Sequence, residues 1–211
     1  MQKFKSIKIL FIFLAFNVLL IKYPLCSSLG TLITIYLLNF KEINTDLKNF
    51  NITNYKYFFI SIPLILINYI LLYLITKISP LPENEILIRS LIHVNPLYYL
   101  LIFGIISPIS EELTFRYGFN NIKNKYIYII VTSILYAIMH LSNFSEILYV
   151  IPYFILGLTF AYTYKKTNSL IYPISIHIIH NLISLLFSIL NSSNKAFSHN
   201  CKIILPKPSP L

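Results

Sequence analysis

Residues 57–76 of this 211-residue chain contain no Asp, Glu, Lys or Arg. A helix of about 20 such residues spans a hydrocarbon core of about 30 Å. Comparable apolar runs occupy 9–21, 25–40, 97–118, 126–141, 147–164 and 170–190. Backbone in lipid must satisfy its own N–H and C=O groups, so each run is expected to be helical. Only 11% of the residues are charged, against roughly 25% in soluble domains. The fold class is therefore an all-α, polytopic transmembrane bundle of about seven spans, and the expected location is the cell membrane. No connection between runs is long enough to build a core of its own.

Three regions follow: 1–96 with N-terminal transmembrane helices and loops, 97–190 as a membrane core, and 191–211 as a polar tail expected to be disordered. The first run follows Lys3, Lys5 and Lys8, as in a signal peptide, but no small-Xaa-small cleavage site follows it. It reads as a retained first helix. Residues 41–56 are polar and Asn-rich and read as a loop.

The net charge of +10 comes from 17 Lys and Arg against 7 acids. The cations are spread over the connections and the two ends. That pattern sets membrane orientation and meets anionic lipid. It places the N-terminus, 41–56, Lys123/Lys125 and Lys165/Lys166 on the cytoplasmic side. No basic cluster is interleaved with aromatics, so the expected partner is membrane lipid and not nucleic acid.

With so few acids, Glu111 and Glu112 side by side at the end of an apolar run need a reason. A carboxylate at membrane depth costs several kcal/mol unless it is paired or faces water. Three segments each carry a polar pair four residues apart: Glu112 with Arg116, Tyr136 with His140, and His177 with Asn181. Such pairs share one helix face. Lipid does not solvate these stripes, so they are expected to face one another. Two carboxylates, two imidazoles, a guanidinium and an amide then converge.

That set suits water activation, with a glutamate as base, histidine as relay and amide or imidazole donors for an oxyanion. Tyr136 reads equally as packing or chemistry, His180 as supporting, and Glu146 as a charge at a helix start. Pro108 calls for a kink eased by Gly104, or for a new helix starting near Ser107. One mismatch remains in depth. Glu111 lies about 10 Å before Gly118, and His140 about 21 Å after Tyr126. Part of 121–129 is expected to lie along the interface, or a helix to tilt or kink.

The stretch Pro108-Ile-Ser-Glu111-Glu112-Leu-Thr-Phe-Arg116-Tyr-Gly118 resembles the Glu-Glu-Xaa-Xaa-Xaa-Arg motif of the CAAX-protease and bacteriocin-processing (CPBP) membrane endopeptidases. Tyr136-Ala-Ile-Met-His140 is similar to that family's Phe-Xaa-Xaa-Xaa-His, with tyrosine in place of phenylalanine. His177-Ile-Ile-His-Asn181 is similar to its His-Xaa-Xaa-Xaa-Asn. The resemblance implies a metal-independent glutamate-type endopeptidase that needs no cofactor. It implies that Glu111 and His140 activate water, that His177 and Asn181 hold the oxyanion, and that Glu112 and Arg116 support them. The substrate would be a peptide or protein, lipidated or secreted. Two alternatives stay open: a zinc hydrolase using His140, His177 and a glutamate, and a non-enzymatic bacteriocin-immunity or scaffold protein.

Overall fold

The computed structural model describes residues 5–19 and 23–191. The polar tail, 192–211, lies outside the described residues. The helices are α1 (Lys5–Leu19), α2 (Pro24–Leu38), α3 (Phe40–Lys48), α4 (Tyr55–Ile75), α5 (Glu83–Val94), α6 (Pro96–Leu101), α7 (Ser107–Glu112), α8 (Lys125–Met139), α9 (Val150–Thr167) and α10 (Ile171–Asn191). No strand occurs among the described residues. Two π-helical segments, Ile102–Ile106 and Leu113–Tyr117, join α6 and α7 into one continuous rod from Pro96 to Tyr117.

The protein is a multi-pass membrane protein. Four rods are long and apolar enough to cross a membrane: Ile52–Ile75, Pro96–Tyr117, Phe144–Thr167 and Ile171–Leu190. With α1 and the shorter apolar helices α2 and α8, seven rods stand where seven apolar runs were read. Their outer faces carry exposed Phe11, Leu66, Ile70, Ile130 and Phe187, side chains that lipid accepts. The inward face of α4 is narrow: Ser61, Asn68 and Ile75, each seven residues from the next. Helices α8 and α9 approach closely at Gly157, where an added Cβ would lie 2.8 Å from the Cα of Ser133. Small residues permit such backbone contact, and in lipid that contact is a main source of association.

The loop expected over 41–56 is instead the helix α3 followed by a 3-10 turn, Ile52–Asn54. The Asn-rich composition masks an amphipathic turn that buries Ile43 and Asp46. Asp46 accepts hydrogen bonds from the Tyr164 hydroxyl and the Leu170 N–H, both at 2.6 Å. Burial pushes the Asp46 carboxyl up from its ordinary value, and these two bonds partly oppose that shift. Glu42 accepts from Lys5 and from the Tyr117 hydroxyl, each at 2.8 Å. Lys165 reaches the Ile122 carbonyl at 3.5 Å, and Asn49 the Asn168 carbonyl at 3.1 Å. Thus the connections assigned to one side by their lysines do meet at one end of the bundle.

The opposite end is closed over by α5. Glu146 accepts from the Glu83 N–H at the start of α5 and from the Ser142 N–H, both at 2.7 Å. Its role as a charge at a helix start is realised on α5, a helix far from it in sequence. The Asn84 amide donates to the His140 carbonyl at 2.9 Å, so α5 is also tied to the end of α8.

Removing Asp46 orphans a buried hydroxyl and a buried N–H. Asp46→Ala is expected to lower stability by about 1.5–3 kcal/mol, the range for hydrogen bonds to a charged group. Thermal unfolding in detergent measures it, and a melting temperature equal to wild type would refute the clasp.

Candidate active site

The rod 96–117 is helical throughout, and no Ser107 cap restarts it: the residue before α7 is Ile106, itself in helical conformation. The π segment before Pro108 relieves the conflict between the proline ring and the carbonyl four residues earlier, because a π turn closes over an extra residue. The Ser107 hydroxyl is spent on Ser28, at 2.8 Å. Gly104 also leaves room for a neighbour: an added Cβ there would lie 2.6 Å from Leu182 Cδ2. Its bareness lets α10 close on the acid-bearing rod. Between the two π segments, α7 presents Glu111 and Glu112.

Glu112 is fully buried. Its Oε2 accepts from Arg116 Nε at 2.9 Å, and its Oε1 lies 3.0 Å from His177 Nδ1. Arg116 therefore serves Glu112 and not Glu111. The other two guanidinium nitrogens have no hydrogen-bond partner. Aromatic faces take that place, with the guanidinium carbon 5.4 Å from the Tyr136 ring and 5.8 Å from the Phe160 ring.

Glu111 faces the other way. Its Oε2 lies 3.6 Å from His140 Nε2 and 3.8 Å from His177 Nε2. These separations exceed hydrogen-bond length, and Oε2 has no partner. Each imidazole has its Nδ1 committed elsewhere: His177 to Glu112, and His140 to the Tyr136 carbonyl at 2.7 Å. A carboxylate and a carbonyl only accept, so each Nδ1 carries a proton, and either ring in its neutral form presents a bare Nε2. The Tyr136 hydroxyl, 3.3 Å from His177 Nε2, donates to it. That leaves Glu111 Oε2 and His140 Nε2 as two acceptors without a donor between them.

Of the segment 121–129, residues 125–129 belong to α8. Helix α8 begins at Lys125 and runs unbroken to Met139. Aromatic side chains join it to the acid-bearing rod: the Tyr128 hydroxyl reaches the Arg116 carbonyl at 3.0 Å, while Phe115 packs edge-on against Tyr136, 5.7 Å between centroids.

A cavity of about 820 Å3 joins these groups. Glu111, Tyr136, His140, His177, His180 and Asn181 all line it, whereas Glu112 and Arg116 stand behind its wall. Asn181 donates one amide hydrogen to the Phe103 carbonyl at 3.0 Å, pinning α10 to the first π segment. Sequence reasoning left the Tyr136 hydroxyl undecided and did not single out Asn68 or Asn84. Asn68, the one carboxamide in the run 57–76, was the available signal for the first of these. No group of three His, Cys, Asp or Glu among the described residues is arranged to hold a metal ion.

Residues 93–183 match the family model described as Type II CAAX prenyl endopeptidase Rce1-like. The chain is 42% identical over 82 residues to the UPF0177 protein YxdF of Lactococcus lactis subsp. lactis (strain IL1403), covering 38% of this chain and 45% of that protein. It is 32% identical over 122 residues to the membrane-embedded CAAX protease MroQ of Staphylococcus aureus (strain USA300), covering 54% of this chain and 47% of that protein. The match thus spans about half the length of these curated relatives or slightly less. No solved structure gives a significant match.

Breaking a buried pair is costlier than removing it. Arg116→Leu leaves the Glu112 charge uncompensated and is expected to cost about 3–5 kcal/mol. The neutral double variant Glu112→Gln/Arg116→Leu should recover most of that loss. Thermal unfolding of both variants checks it; equal losses would show that Arg116 acts by packing alone.

Proposed function

We infer that the chain, whose residues 93–183 match the Rce1-like CAAX prenyl endopeptidase model, is a membrane-embedded endopeptidase that hydrolyses a peptide bond through water activated by Glu111 and His140. The observation that carries this reading is the pair of donorless acceptors, Glu111 Oε2 and His140 Nε2, 3.6 Å apart in the wall of a cavity. A water has two hydrogens to give, and with its oxygen beside the pair it gives one to each acceptor. Held so, it directs a lone pair toward a carbonyl carbon entering the cavity. Glu111 takes one water proton as the C–O bond forms. The proton then passes to the leaving nitrogen as the C–N bond breaks, so no net proton is consumed.

The carbonyl oxygen becomes an oxyanion on the side of His177 and Asn181. Asn181 retains one amide hydrogen beyond that given to Phe103. His177 donates toward the cavity through Nε2 only when the ring enters the reaction as an imidazolium, its charge balanced by the Glu112 carboxylate and the Tyr136 hydroxyl then accepting; that proton is present before and after the reaction, so none is consumed. Such donors act strongly where water is excluded. Glu112 and Arg116 hold His177 in place and do not touch the substrate. The chemistry drawn here uses no cofactor. The CAAX designation of the relatives makes a farnesylated peptide ending in Cys-aliphatic-aliphatic-Xaa the first substrate to try.

Glu111→Gln keeps size and removes the base. It is expected to lower kcat on that peptide by about 10²–10⁴-fold, the range for losing one general base, with normal membrane insertion. Full in vivo function in this variant would favour a non-catalytic binding role. Activity is expected to persist in EDTA; reversible loss restored by zinc would replace this mechanism with a metal hydrolase.

A further inference from the structure

The cavity has a second polar region that water activation does not use. Asn68 lines it from α4, Ser27 from α2 and His180 from α10. All three side chains are more than nine-tenths buried. Both amide atoms of Asn68, the Ser27 hydroxyl and His180 Nδ1 have no hydrogen-bond partner. Native structures leave few buried polar groups unpaired, and each one is destabilising. Here three, from three helices, share one cavity. Asn68 is the sharpest case, because its helix belongs to the most apolar of the four long spans, with a mean hydropathy of 2.4.

The region has a fixed relation to the catalytic groups. The Tyr69 hydroxyl donates to the His180 carbonyl at 3.2 Å, and the two rings pack at 5.1 Å. The side chain next to Asn68 thus locks α4 to α10 beside His180. His180 lies about 4.5 Å along α10 from His177. His180 is therefore close to one helical turn from His177, and Asn68 adjoins the tyrosine that packs on it.

We propose that Asn68, with His180 and Ser27, forms a subsite for the main chain of the peptide substrate. This rests on the endopeptidase reading and names how its substrate is held. A carboxamide offers one acceptor and two donors, which complement the N–H and C=O of a peptide group. A lipid chain presents neither. The apolar remainder of the wall, including Leu72, Leu156 and Leu185, suits substrate side chains. The cost of keeping Asn68 unpaired in the empty protein is recovered when the peptide arrives.

The test uses the full-length protein in detergent and the farnesylated peptide, with each backbone nitrogen methylated in turn. Wild type should show one position near the cleaved bond where N-methylation raises KM. Asn68→Leu, which keeps the branched shape without the polar atoms, should raise KM for the unmodified peptide about five- to tenfold, the loss of one to two ordinary hydrogen bonds. Its kcat should stay within about twofold, its sensitivity at that one position should vanish, and its melting temperature should hold or rise, because an unpaired buried amide has gone. An unchanged KM, or an N-methyl profile identical to wild type, overturns the subsite. If wild type cleaves nothing, the endopeptidase reading fails by itself. Fluorescence anisotropy of the labelled peptide on the Glu111→Gln protein then decides the subsite separately: weaker binding with Asn68→Leu added supports it, and equal or absent binding ends it.

Discussion

A single buried charge organises this molecule. Glu112 has no contact with solvent, and removing a carboxylate from water is tolerable only with near-complete compensation. Arg116 supplies the charge and His177 the second hydrogen bond. Arg116 in turn lies over Tyr136 and Phe160, and Phe160 stacks on His177 with 4.4 Å between centroids. The acid-bearing rod, α8, α9 and α10 are thereby tied at one point. The position of His177 is fixed on three sides: Glu112 at Nδ1, Phe160 on its face and Tyr136 at Nε2. Electrostatic compensation and active-site geometry are the same set of contacts.

The bundle separates its work by face. Outer faces carry Ile, Leu and Phe, which need nothing from their surroundings. Inner faces carry polar groups that find one another, as Asp46 does with Tyr164 and Leu170 at one end and Glu146 with α5 at the other. Between those ends the groups lining the cavity are left incompletely paired: Glu111 Oε2, Asn68 and His180 Nδ1. Most of the unsatisfied buried polar atoms among the described residues line the cavity where a ligand would enter, while two nitrogens of Arg116 behind its wall rest against aromatic rings instead.

Much of this was readable in the residue order. The seven apolar runs became seven rods because lipid leaves a backbone few options. The polar pairs four apart came together because helical periodicity puts each pair on one face and lipid rejects both. What could not be read had local causes. Helix α3 was hidden by its asparagines, and only tertiary burial of Ile43 and Asp46 shows it to be amphipathic. The π segments leave no periodic trace, since an extra residue per turn resembles ordinary drift in a short apolar run. Which glutamate Arg116 would choose was undetermined, because Glu111 and Glu112 are neighbours in sequence but point to opposite sides of the cavity wall. The Tyr136 hydroxyl could not be assigned a partner until His177 was placed beside it.

The commitment of both Nδ1 atoms has an effect on molecular recognition. Neither imidazole can turn over without surrendering its inward bond, to the Tyr136 carbonyl or to Glu112. The ring orientations are settled before anything enters. An incoming hydrogen-bond donor would meet the His140 Nε2 lone pair already aimed, and little rotational freedom would remain to be lost on the protein side. Rigidity of this kind favours small, stiff inhibitors over long adaptable ones.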